Sequence, residues 1–410
     1  MNVLFLSLLD FDTFEERNIY TDLLREFIRH EHQVVAISPF ERKCDKVERI
    51  IVEGNSRILK VKIGNAQKVN FVEKGVSTVL LEHQILAYTK KKLKYIKFDF
   101  VLYTTPPVTF KKVIDYFKKR DNATTFLLLK DIFPQNAVDL GILSKRGVKG
   151  IIYRFFRKKE RDLYRISDYI GCMSPANVAY VLAHNKEIES KRVMVCPNSI
   201  DVVDKYVDTL MREKIRRKYE IPIDKTIFIY GGNLGKPQGI PFIIDCFEKC
   251  KTVENAFFLI VGDGTEYGLL ESYATTMENG NVKVLRSLPK EDYDTLVGAC
   301  DVGLIFLEHG FTIPNFPSRL LSYMQAKLPV FAVTDANSDI GETIANGNFG
   351  WWCESNDANI MANIVREIVL NDDIRKNGQN AWNYLNKYYS VEVSYSILTR
   401  FFPKICTSEE

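Results

Sequence analysis

Short runs of β-branched and aromatic residues alternate along this chain with stretches that have the spacing of amphipathic helices. Strands that alternate with helices predict βαβ units and parallel sheets. Phe257–Val261 (FFLIV) is apolar throughout, which is typical of a parallel strand buried on both faces. The strands predicted in the first half are Val3–Leu9, Gln33–Ser38, Ile58–Ile63, Phe100–Tyr103, Thr125–Leu129, Tyr169–Met173 and Val193–Cys196. Those predicted in the second half are Ile227–Tyr230, Phe257–Val261, Val282–Leu285, Val302–Phe306 and Val330–Val333.

These strands are too many for one small doubly wound sheet, and their spacing is too uneven for a single (β/α)₈ barrel. A chain of 410 residues is long enough for two domains. The boundary is predicted within Pro197–Asp208, where a strand ends and a charged helix follows. The predicted domains are therefore residues 1–201 and 202–387, and we expect an apolar C-terminal helix over 388–405 to pack back onto the first domain.

Composition excludes several classes of protein. With 46% hydrophobic and 26% charged residues the chain is globular, and no apolar run is long enough to span a membrane. The first residues lack the basic region of a secretory signal. The eight cysteines are scattered without a Cys-x-x-Cys pair, which predicts reduced thiols in a cytoplasm. We predict no metal site, because the histidines lack a useful ligand spacing and one Asp-x-Asp triplet at Asp10 is expected by chance.

The formal net charge of +4 conceals an uneven distribution. Residues 1–201 hold 35 Lys and Arg against 24 Asp and Glu, a net of +11, which leaves −7 for the rest. Residues 145–165 alone hold nine cations and two acids. A basic amphipathic helix with interleaved apolar residues favours docking on an anionic membrane surface; a solvated face with those residues turned inward is the alternative. The interleaved residues are Ile151, Ile152, Phe155 and Phe156. Nucleic acid is the rival polyanion, but no nucleic-acid motif is present.

In open parallel sheets, ligands bind beyond the carboxyl ends of the strands. The strand Ile227–Tyr230 is followed by a glycine-rich loop and then by a helix with Pro241 expected at its first position. The loop reads Gly231-Gly232-Asn233-Leu234-Gly235-Lys236-Pro237-Gln238-Gly239. Its glycines let the backbone approach a ligand, and a helix N-terminus with Lys236 favours phosphate. The loop is neither a Walker A nor a GxGxxG sequence, so an ordinary turn is equally compatible.

A second candidate site follows the strand Val302–Phe306. Ser318 is a good N-cap for a helix predicted over Arg319–Lys327. Arg319 falls in the first turn, where a cation is unfavourable unless an anion is present. Together with Lys236 it predicts a diphosphate clamp, and the alternative is a surface arginine.

Three other strand ends carry candidate residues. Gly262 and Arg286 follow two strands of the second half and are candidates for holding a nucleoside, unless they lie in mere turns. Asp131 follows the strand Thr125–Leu129. A carboxylate there can orient or deprotonate a hydroxyl, but an aspartate that opens a turn before Pro134 is an equally good interpretation.

The order of these signals resembles retaining glycosyltransferase family 4 of the GT-B fold over nearly the whole chain, most closely the bacterial branch that builds capsules and O-antigens. The matching residues are Pro106-Pro107, Asp131-Ile132-Phe133-Pro134, Glu160, Tyr164, Asp168, Ser174-Pro175, Pro197-Asn198, Asp201, the loop Gly231 to Gly239, Val261-Gly262-Asp263-Gly264, Pro317-Ser318-Arg319 and Tyr323-Met324.

The resemblance implies an α/β fold with two Rossmann-like, doubly wound parallel-sheet domains that face a central cleft. The second domain would bind a nucleotide-sugar and the first an acceptor, with retention of configuration and without a metal. By that resemblance Lys236 and Arg319 hold the diphosphate, Gly232 and Gly235 admit the sugar phosphate, and Arg286 lies near the base.

The chain departs from the family at two paired glutamates, whose matching positions are Pro314 and Ser322. Glu308 is displaced from that motif. The candidate donor contacts, besides the residues given roles above, are Gly231, Asn233, Gly262, Ser318, Ser322 and Glu308.

The leading interpretation is an enzyme without a cofactor, peripheral at the inner face of a bacterial plasma membrane. It would move a sugar from a nucleotide diphosphate, with UDP expected, to a lipid-linked saccharide in capsule, O-antigen or exopolysaccharide synthesis. No enzyme nucleophile is evident, so we expect same-face attack assisted by the donor phosphate. Two alternatives stay open: a nucleotide-sugar 2-epimerase of the same fold, and a non-catalytic partner subunit, which Pro314 and Ser322 motivate.

Overall fold

The computed structural model describes residues 1–65, 71–276 and 280–402. The chain divides into two units. Unit 1 consists of Met1–Asp201 together with the C-terminal residues from Val391, and unit 2 is Val202–Ser390. The first domain was predicted to end at the same residue, and the second at residue 387.

The strands and helices of the described residues follow in chain order. The strands are β1 (Asn2–Leu6), β2 (Gln33–Glu41), β3 (Arg49–Glu53), β4 (Ser56–Ile63), β5 (Phe100–Thr104), β6 (Thr124–Leu129), β7 (Tyr169–Cys172), β8 (Val193–Val195), β9 (Thr226–Asn233), β10 (Ala256–Asp263), β11 (Val282–Leu285), β12 (Val302–Phe306), β13 (Val330–Thr334) and β14 (Gly350–Glu354). The helices are α1 (Ile19–Arg29), α2 (Phe71–Lys92), α3 (Lys111–Asp121), α4 (Gln135–Asp139), α5 (Gly147–Ile166), α6 (Pro175–His184), α7 (Thr209–Lys218), α8 (Ile240–Cys250), α9 (Tyr267–Thr276), α10 (Lys290–Gly298), α11 (Arg319–Gln325), α12 (Ile340–Gly347), α13 (Ala358–Val369), α14 (Ile374–Tyr388) and α15 (Val391–Thr399).

Each unit is built on one twisted sheet of predominantly parallel strands. In the described part of unit 1 the strand order is β3-β4-β2-β1-β5-β6-β7-β8, and the β3–β4 pair is antiparallel. In that of unit 2 the order is β11-β10-β9-β12-β13-β14, with parallel pairs throughout. The apolar runs Val3–Leu6 and Phe257–Val261 are buried, as expected for strands covered on both faces. The predicted strands are present, and β3 and β14 are additions that the prediction missed.

The helix α15 closes the core of unit 1. The ring of Tyr395 lies edge-on to Phe27, with centroids 5.0 Å apart, and stacks on His30 at 4.2 Å. His32 Nε2 lies 2.8 Å from the Tyr395 hydroxyl. The helix begins at Val391 rather than at residue 388, because Tyr388 is the last residue of α14. The end of the predicted helix, 403–405, lies outside the described residues.

No helix in the described parts of the chain combines the length and the apolar character needed to cross a bilayer.

Candidate functional site

The candidate donor residues lie at the carboxyl edge of the unit 2 sheet, where β9, β10 and β12 end. The strand β9 runs on through Asn233, beyond its predicted end at Tyr230. In this extension Gly232 pairs with Gly262 of β10. A Cβ atom on Gly262 would lie 1.9 Å from the Gly232 carbonyl oxygen, so close strand packing by itself requires glycine at position 262.

The loop after β9 is held by one buried glutamine. Gln238 Oε1 accepts hydrogen bonds from Asn233 Nδ2 (3.0 Å) and from the Gly235 amide (3.3 Å). A short 3₁₀ turn over Lys236–Gln238 then leads through Gly239, which has φ +66°, into α8. Pro241 is therefore the second residue of α8 and not the first, as predicted, because α8 starts at Ile240.

The guanidinium of Arg319 is built into this edge of the sheet. Its Cζ lies 4.1 Å from the centre of the Tyr230 ring. Its Nη1 is buried and has no hydrogen-bond partner, and no carboxylate of the described residues forms an ion pair with it. Gly232 has φ +135°, and a Cβ there would lie 3.1 Å from Arg319 Nη2. The alternative interpretation of Arg319 as an ordinary surface arginine is therefore wrong.

Tyr323 and Tyr293 also contact the end of β9 near Arg319. The Tyr323 hydroxyl donates to the Leu304 carbonyl (3.0 Å) and accepts from the Gly231 amide (3.3 Å). Burial raises the pKa of Tyr323 to about 12, so its hydroxyl stays a neutral donor. A Cβ on Gly231 would lie 1.8 Å from the Tyr293 hydroxyl. Tyr230, Tyr293 and Tyr323 have no site role predicted from the sequence; the available signal is Tyr323 at position i+4 from Arg319 on one helix face.

Ser318 stands at the N-cap position of α11, as predicted, but its side chain does not cap the helix. Ser318 precedes the helix, but its backbone is already helical (φ −66°, ψ −17°) and its side chain makes no capping hydrogen bond. The proline-stiffened loop enters the helix by a tight turn, in which the Leu320 amide donates to the Pro317 carbonyl. The helix also ends at Gln325, short of Lys327, which has φ +54°. Ser322 lies three residues after Arg319, on the same face of α11.

Lys236 lies in the loop after β9, and Glu308, which follows β12, contacts that loop. Lys236 is exposed and forms no ion pair with any described residue. The Glu308 amide donates to the Pro237 carbonyl (2.9 Å), and a Cβ on Gly239 would lie 2.9 Å from Glu308 Oε2. The structure thus brings the loops after β9 and β12 together and places the Glu308 carboxylate against the turn that carries Lys236.

Arg286 lies at the ends of β10 and β11. Its Nη1 is 3.1 Å from Asp263 Oδ1, and its Cζ is 3.5 Å from the centre of the Tyr267 ring. The guanidinium is therefore held in place by a carboxylate and an aromatic face.

In unit 1, Asp131 follows β6 at the carboxyl edge of its own sheet. Asn136 Nδ2 donates to both of its carboxylate oxygens, at 2.8 Å each. The Thr105 hydroxyl donates to the Asp131 carbonyl (3.2 Å). Burial raises the pKa of Asp131 to about 6, although the Ile132 amide and Asn136 oppose that rise. This carboxylate is half-buried, Asn136 orients it, and burial holds its pKa above the ordinary value.

The Asp-x-Asp triplet of unit 1 contacts cations of the chain itself. Asp10 pairs with Lys46 (2.7 Å) and with the fully buried Lys60, which also lies 3.1 Å from Asp12. Over the residues that the structure describes, no group of three or more His, Cys, Asp or Glu side chains is arranged to hold a metal ion.

The basic segment forms the helix α5, and its apolar residues divide between core and solvent. Ile151 and Phe155 are 61% and 42% exposed, and Val148 one turn earlier is 77% exposed. Ile152 and Phe156 are half-buried, and the Phe156 ring lies 5.0 Å from that of Phe133. The alternative that the interleaved apolar residues turn toward the core therefore holds for Ile152 and Phe156 but not for Ile151 and Phe155.

Part of unit 2 has a counterpart among known families. Residues 211–382 match the family described as Glycosyl transferases group 1. The chain is 28% identical over 249 residues to a probable glycosyltransferase, WbjE, of Pseudomonas aeruginosa, which is 59% of each protein. It is 22% identical over 228 residues to the putative colanic acid biosynthesis glycosyl transferase WcaI of Escherichia coli K12, 55% of this chain and 54% of that protein. The chain thus spans little more than half the length of the curated relatives it matches.

Solved structures resemble the chain over almost its whole length. Sucrose-phosphate synthase of Thermosynechococcus elongatus gives a TM-score of 0.72 at 14% identity, covering 97% of both chains. WaaG, a glycosyltransferase involved in lipopolysaccharide biosynthesis, gives 0.66 at 14% identity, covering 97% of this chain and 99% of that one. Anabaena HepE in complex with UDP gives 0.65 at 15% identity, covering 97% and 98%. The predicted fold class, GT-B with two parallel-sheet α/β units, is confirmed, and the comparisons together support a glycosyltransferase.

Proposed function

We propose that the chain is a retaining glycosyltransferase of bacterial polysaccharide or lipopolysaccharide synthesis. Unit 2 binds a nucleotide-diphosphate sugar, with UDP as the nucleotide, and unit 1 binds a lipid-linked saccharide whose hydroxyl receives the sugar. The observation that carries this proposal is the guanidinium of Arg319, which no carboxylate of the described residues neutralises.

A cation in that environment is expensive unless an anion joins it. Taking a charge out of water costs several kcal/mol, and an unpartnered buried donor adds about 1–3 kcal/mol. A guanidinium binds two phosphate oxygens at once, which suits the diphosphate of a nucleotide-sugar. Gly232 and Gly235 keep side chains out of the adjacent space, and HepE, of similar fold, has been solved with UDP. Retention and UDP also rest on the resemblance to family 4.

The proposed chemistry is stabilisation of the leaving diphosphate. Negative charge accumulates on the phosphate as its bond to the sugar breaks, and Arg319 and Lys236 stabilise that charge in place. Asn233, Ser318, Ser322 and Glu308 are proposed as further contacts to the donor. Gly262 and Arg286, at the neighbouring strand ends, are proposed to face the nucleoside. Asp131 of unit 1 is proposed to orient the acceptor hydroxyl.

Binding and turnover of UDP-sugars test this proposal against its alternatives. We expect UDP to stabilise the full chain against thermal unfolding, and UDP release to require a lipid-linked acceptor fraction. Conversion of a free UDP-sugar without any acceptor would favour the 2-epimerase. Absence of nucleotide binding by calorimetry would favour the non-catalytic subunit.

We also propose that α5 docks unit 1 on the anionic inner face of the plasma membrane. Val148, Ile151 and Phe155 form an exposed apolar stripe along α5. Arg154 and Lys158, beside this stripe, are exposed and form no ion pair with the described residues. Cations at lipid headgroups beside apolar side chains at the acyl boundary are typical of interfacial helices. Arg157 and Arg161 contribute less, because Glu160 and Glu187 hold them.

Vesicle co-sedimentation tests the docking. Each cation near an anionic surface contributes about 1 kcal/mol, so replacing Arg154 and Lys158 by Gln should weaken binding to phosphatidylglycerol vesicles by roughly 30-fold. The matched control replaces Lys214 and Arg217 of α7 by Gln and leaves binding intact. High salt should weaken binding by the wild type, since the attraction is screened. Binding that ignores lipid charge, or equal loss in both variants, would make α5 an ordinary solvated helix.

A further inference from the structure

One side chain controls the orientation of the Asp131 carboxylate. Asn136 lies in the first turn of α4, immediately after the loop that follows β6, and reaches back to the strand end. Its Nδ2 lies 2.8 Å from Asp131 Oδ1 and 2.8 Å from Oδ2. A donor shared between both oxygens fixes the plane of the carboxylate, which a single hydrogen bond does not.

The other end of the same amide has an unmet hydrogen-bonding capacity. Asn136 Oδ1 is buried and has no hydrogen-bond partner among the described residues. Buried polar side-chain atoms are nearly always partnered in folded proteins, so the Asn136 carbonyl beside an oriented carboxylate is an acceptor that a ligand hydroxyl can satisfy. A hydroxyl group is such a donor, and the Asp131 carboxylate accepts a second one.

The charged and titratable groups around Asp131 come from three elements. Lys130 is its neighbour in the chain, and burial lowers the pKa of that lysine to about 8. Tyr20 of α1 interacts with Asp131, and burial raises its pKa, so it stays neutral. Glu160 of α5 also interacts with Asp131, but it is paired with Arg157 at 2.6 Å and with Tyr164 at 2.8 Å. Asn136 is therefore the neutral donor that faces the carboxylate directly.

We infer that Asn136 is a positioning residue of unit 1: its Nδ2 orients Asp131, and its Oδ1 accepts a hydrogen bond from a second hydroxyl of the same ligand. The ligand class is a saccharide that presents two hydroxyls to these two acceptors. This inference rests on the proposed function, because it assigns the acceptor hydroxyl to Asp131. It adds the group that recognises a second hydroxyl.

The first test measures the titration of Asp131 through the pH dependence of unfolding of the full chain. Asn136→Leu removes the donor that favours the charged carboxylate, so the Asp131 titration should move up by about one pH unit. Asn136→Asp keeps the size of the side chain and places a second carboxylate beside the first, so the titration should move further in the same direction. Asp131→Asn identifies which part of the pH profile belongs to Asp131. The matched control is Asn2→Leu, which removes an amide hydrogen bond of 2.7 Å to the Lys97 carbonyl at the opposite end of the sheet.

The second test uses methyl α-D-glucopyranoside as a probe for hydroxyl binding, measured by saturation-transfer NMR. We expect transfer to the probe with the wild type and with Asn2→Leu, and at least a tenfold weaker signal with Asn136→Leu. An unshifted Asp131 titration, no transfer with the wild type, or equal transfer with Asn136→Leu would overturn the inference. UDP binding separates the two proposals: loss of UDP binding by the wild type defeats the proposed function, whereas intact UDP binding with an unaffected probe signal defeats this inference alone.

Discussion

Replacement of Arg319 by methionine should separate phosphate binding from folding. Methionine keeps much of the length of the side chain and removes its charge. The stabilising contact that is lost is the one with the Tyr230 ring at 4.1 Å, which contributes about 0.5–2 kcal/mol. The cost that is removed is the desolvation of a guanidinium that has no carboxylate partner among the described residues, and replacing even a buried ion pair by apolar residues is often neutral or stabilising by about 1–4 kcal/mol. The free energy of unfolding should therefore stay level or rise.

The same substitution should weaken UDP binding, although it does not lower the free energy of unfolding. Hydrogen bonds to a charged group contribute about 1.5–3 kcal/mol, and about 1.4 kcal/mol corresponds to a factor of ten in affinity. The affinity of Arg319→Met for UDP should therefore fall by about 10- to 150-fold. Uridine lacks phosphate, so its affinity should not change.

Isothermal titration of UDP and uridine at one fixed ionic strength measures both effects, with chemical denaturation of the same variants alongside. Arg366→Met is the matched control, because Arg366 is exposed on α13 and contacts Asn363 at 2.7 Å. Equal weakening of UDP and uridine would refute the assignment of Arg319 to the phosphates. A loss of unfolding free energy of more than about 2 kcal/mol would refute the argument that the cation is uncompensated.

Three other outcomes follow from the site geometry. Gly232→Ala should lower the unfolding free energy by about 1–3 kcal/mol and weaken UDP binding, because its φ of +135° and the 3.1 Å approach to Arg319 Nη2 exclude a Cβ; Gly268→Ala, with open space around it, is the control in the same denaturation experiment. Sugar transfer should be insensitive to EDTA, since cationic side chains occupy the place of a metal; loss of activity that Mg²⁺ or Mn²⁺ restores would contradict this. Asp131→Asn should raise the unfolding free energy at pH 8 by about 1–3 kcal/mol, and the gain should vanish as pH falls through about 6 toward 4, because burial disfavours only the charged carboxylate; a gain that is constant from pH 8 to pH 4 would show another cause.

The parallel core of both sheets could be predicted from the sequence, because a strand covered on both faces must be apolar throughout. The two strands that the prediction missed lie at sheet edges. β3 has the sequence Arg-Ile-Ile-Val-Glu, with Val52 63% exposed, and it pairs antiparallel through a hairpin at Gly54. β14 includes Trp351 and Trp352, which are only partly buried or exposed. An edge strand is covered on fewer sides, so its hydrophobic pattern is weaker. Whether such a segment forms a strand depends on the neighbouring strand with which it pairs.

The candidate site could be located from strand ends, but its internal contacts could not. The positions of Lys236 and Arg319 after strands β9 and β12 follow from the rule that ligands meet the carboxyl edge of such a sheet. Tyr230, whose ring faces Arg319, lies in the apolar run of β9 and is indistinguishable in sequence from a core residue. Ser318 takes the predicted N-cap position without a capping hydrogen bond, because its backbone is helical where a capping serine is normally extended. Such contacts depend on which loops meet in three dimensions.

The position of α15 in the chain has a consequence for synthesis on the ribosome. The helix and the two phenylalanines that follow it complete unit 1, where Phe402 lies 5.1 Å from Phe100 and Phe401 stacks on Tyr169 at 3.7 Å, yet these residues are translated after all of unit 2. A nascent chain therefore carries the aromatic surface around Phe27 and Phe100 uncovered while some 190 further residues are made, from Val202 to Ser390. The ribosome therefore completes the synthesis of unit 2 before that of unit 1, although unit 1 begins the chain. Until α15 leaves the exit tunnel, that surface is available to chaperones and to neighbouring nascent chains.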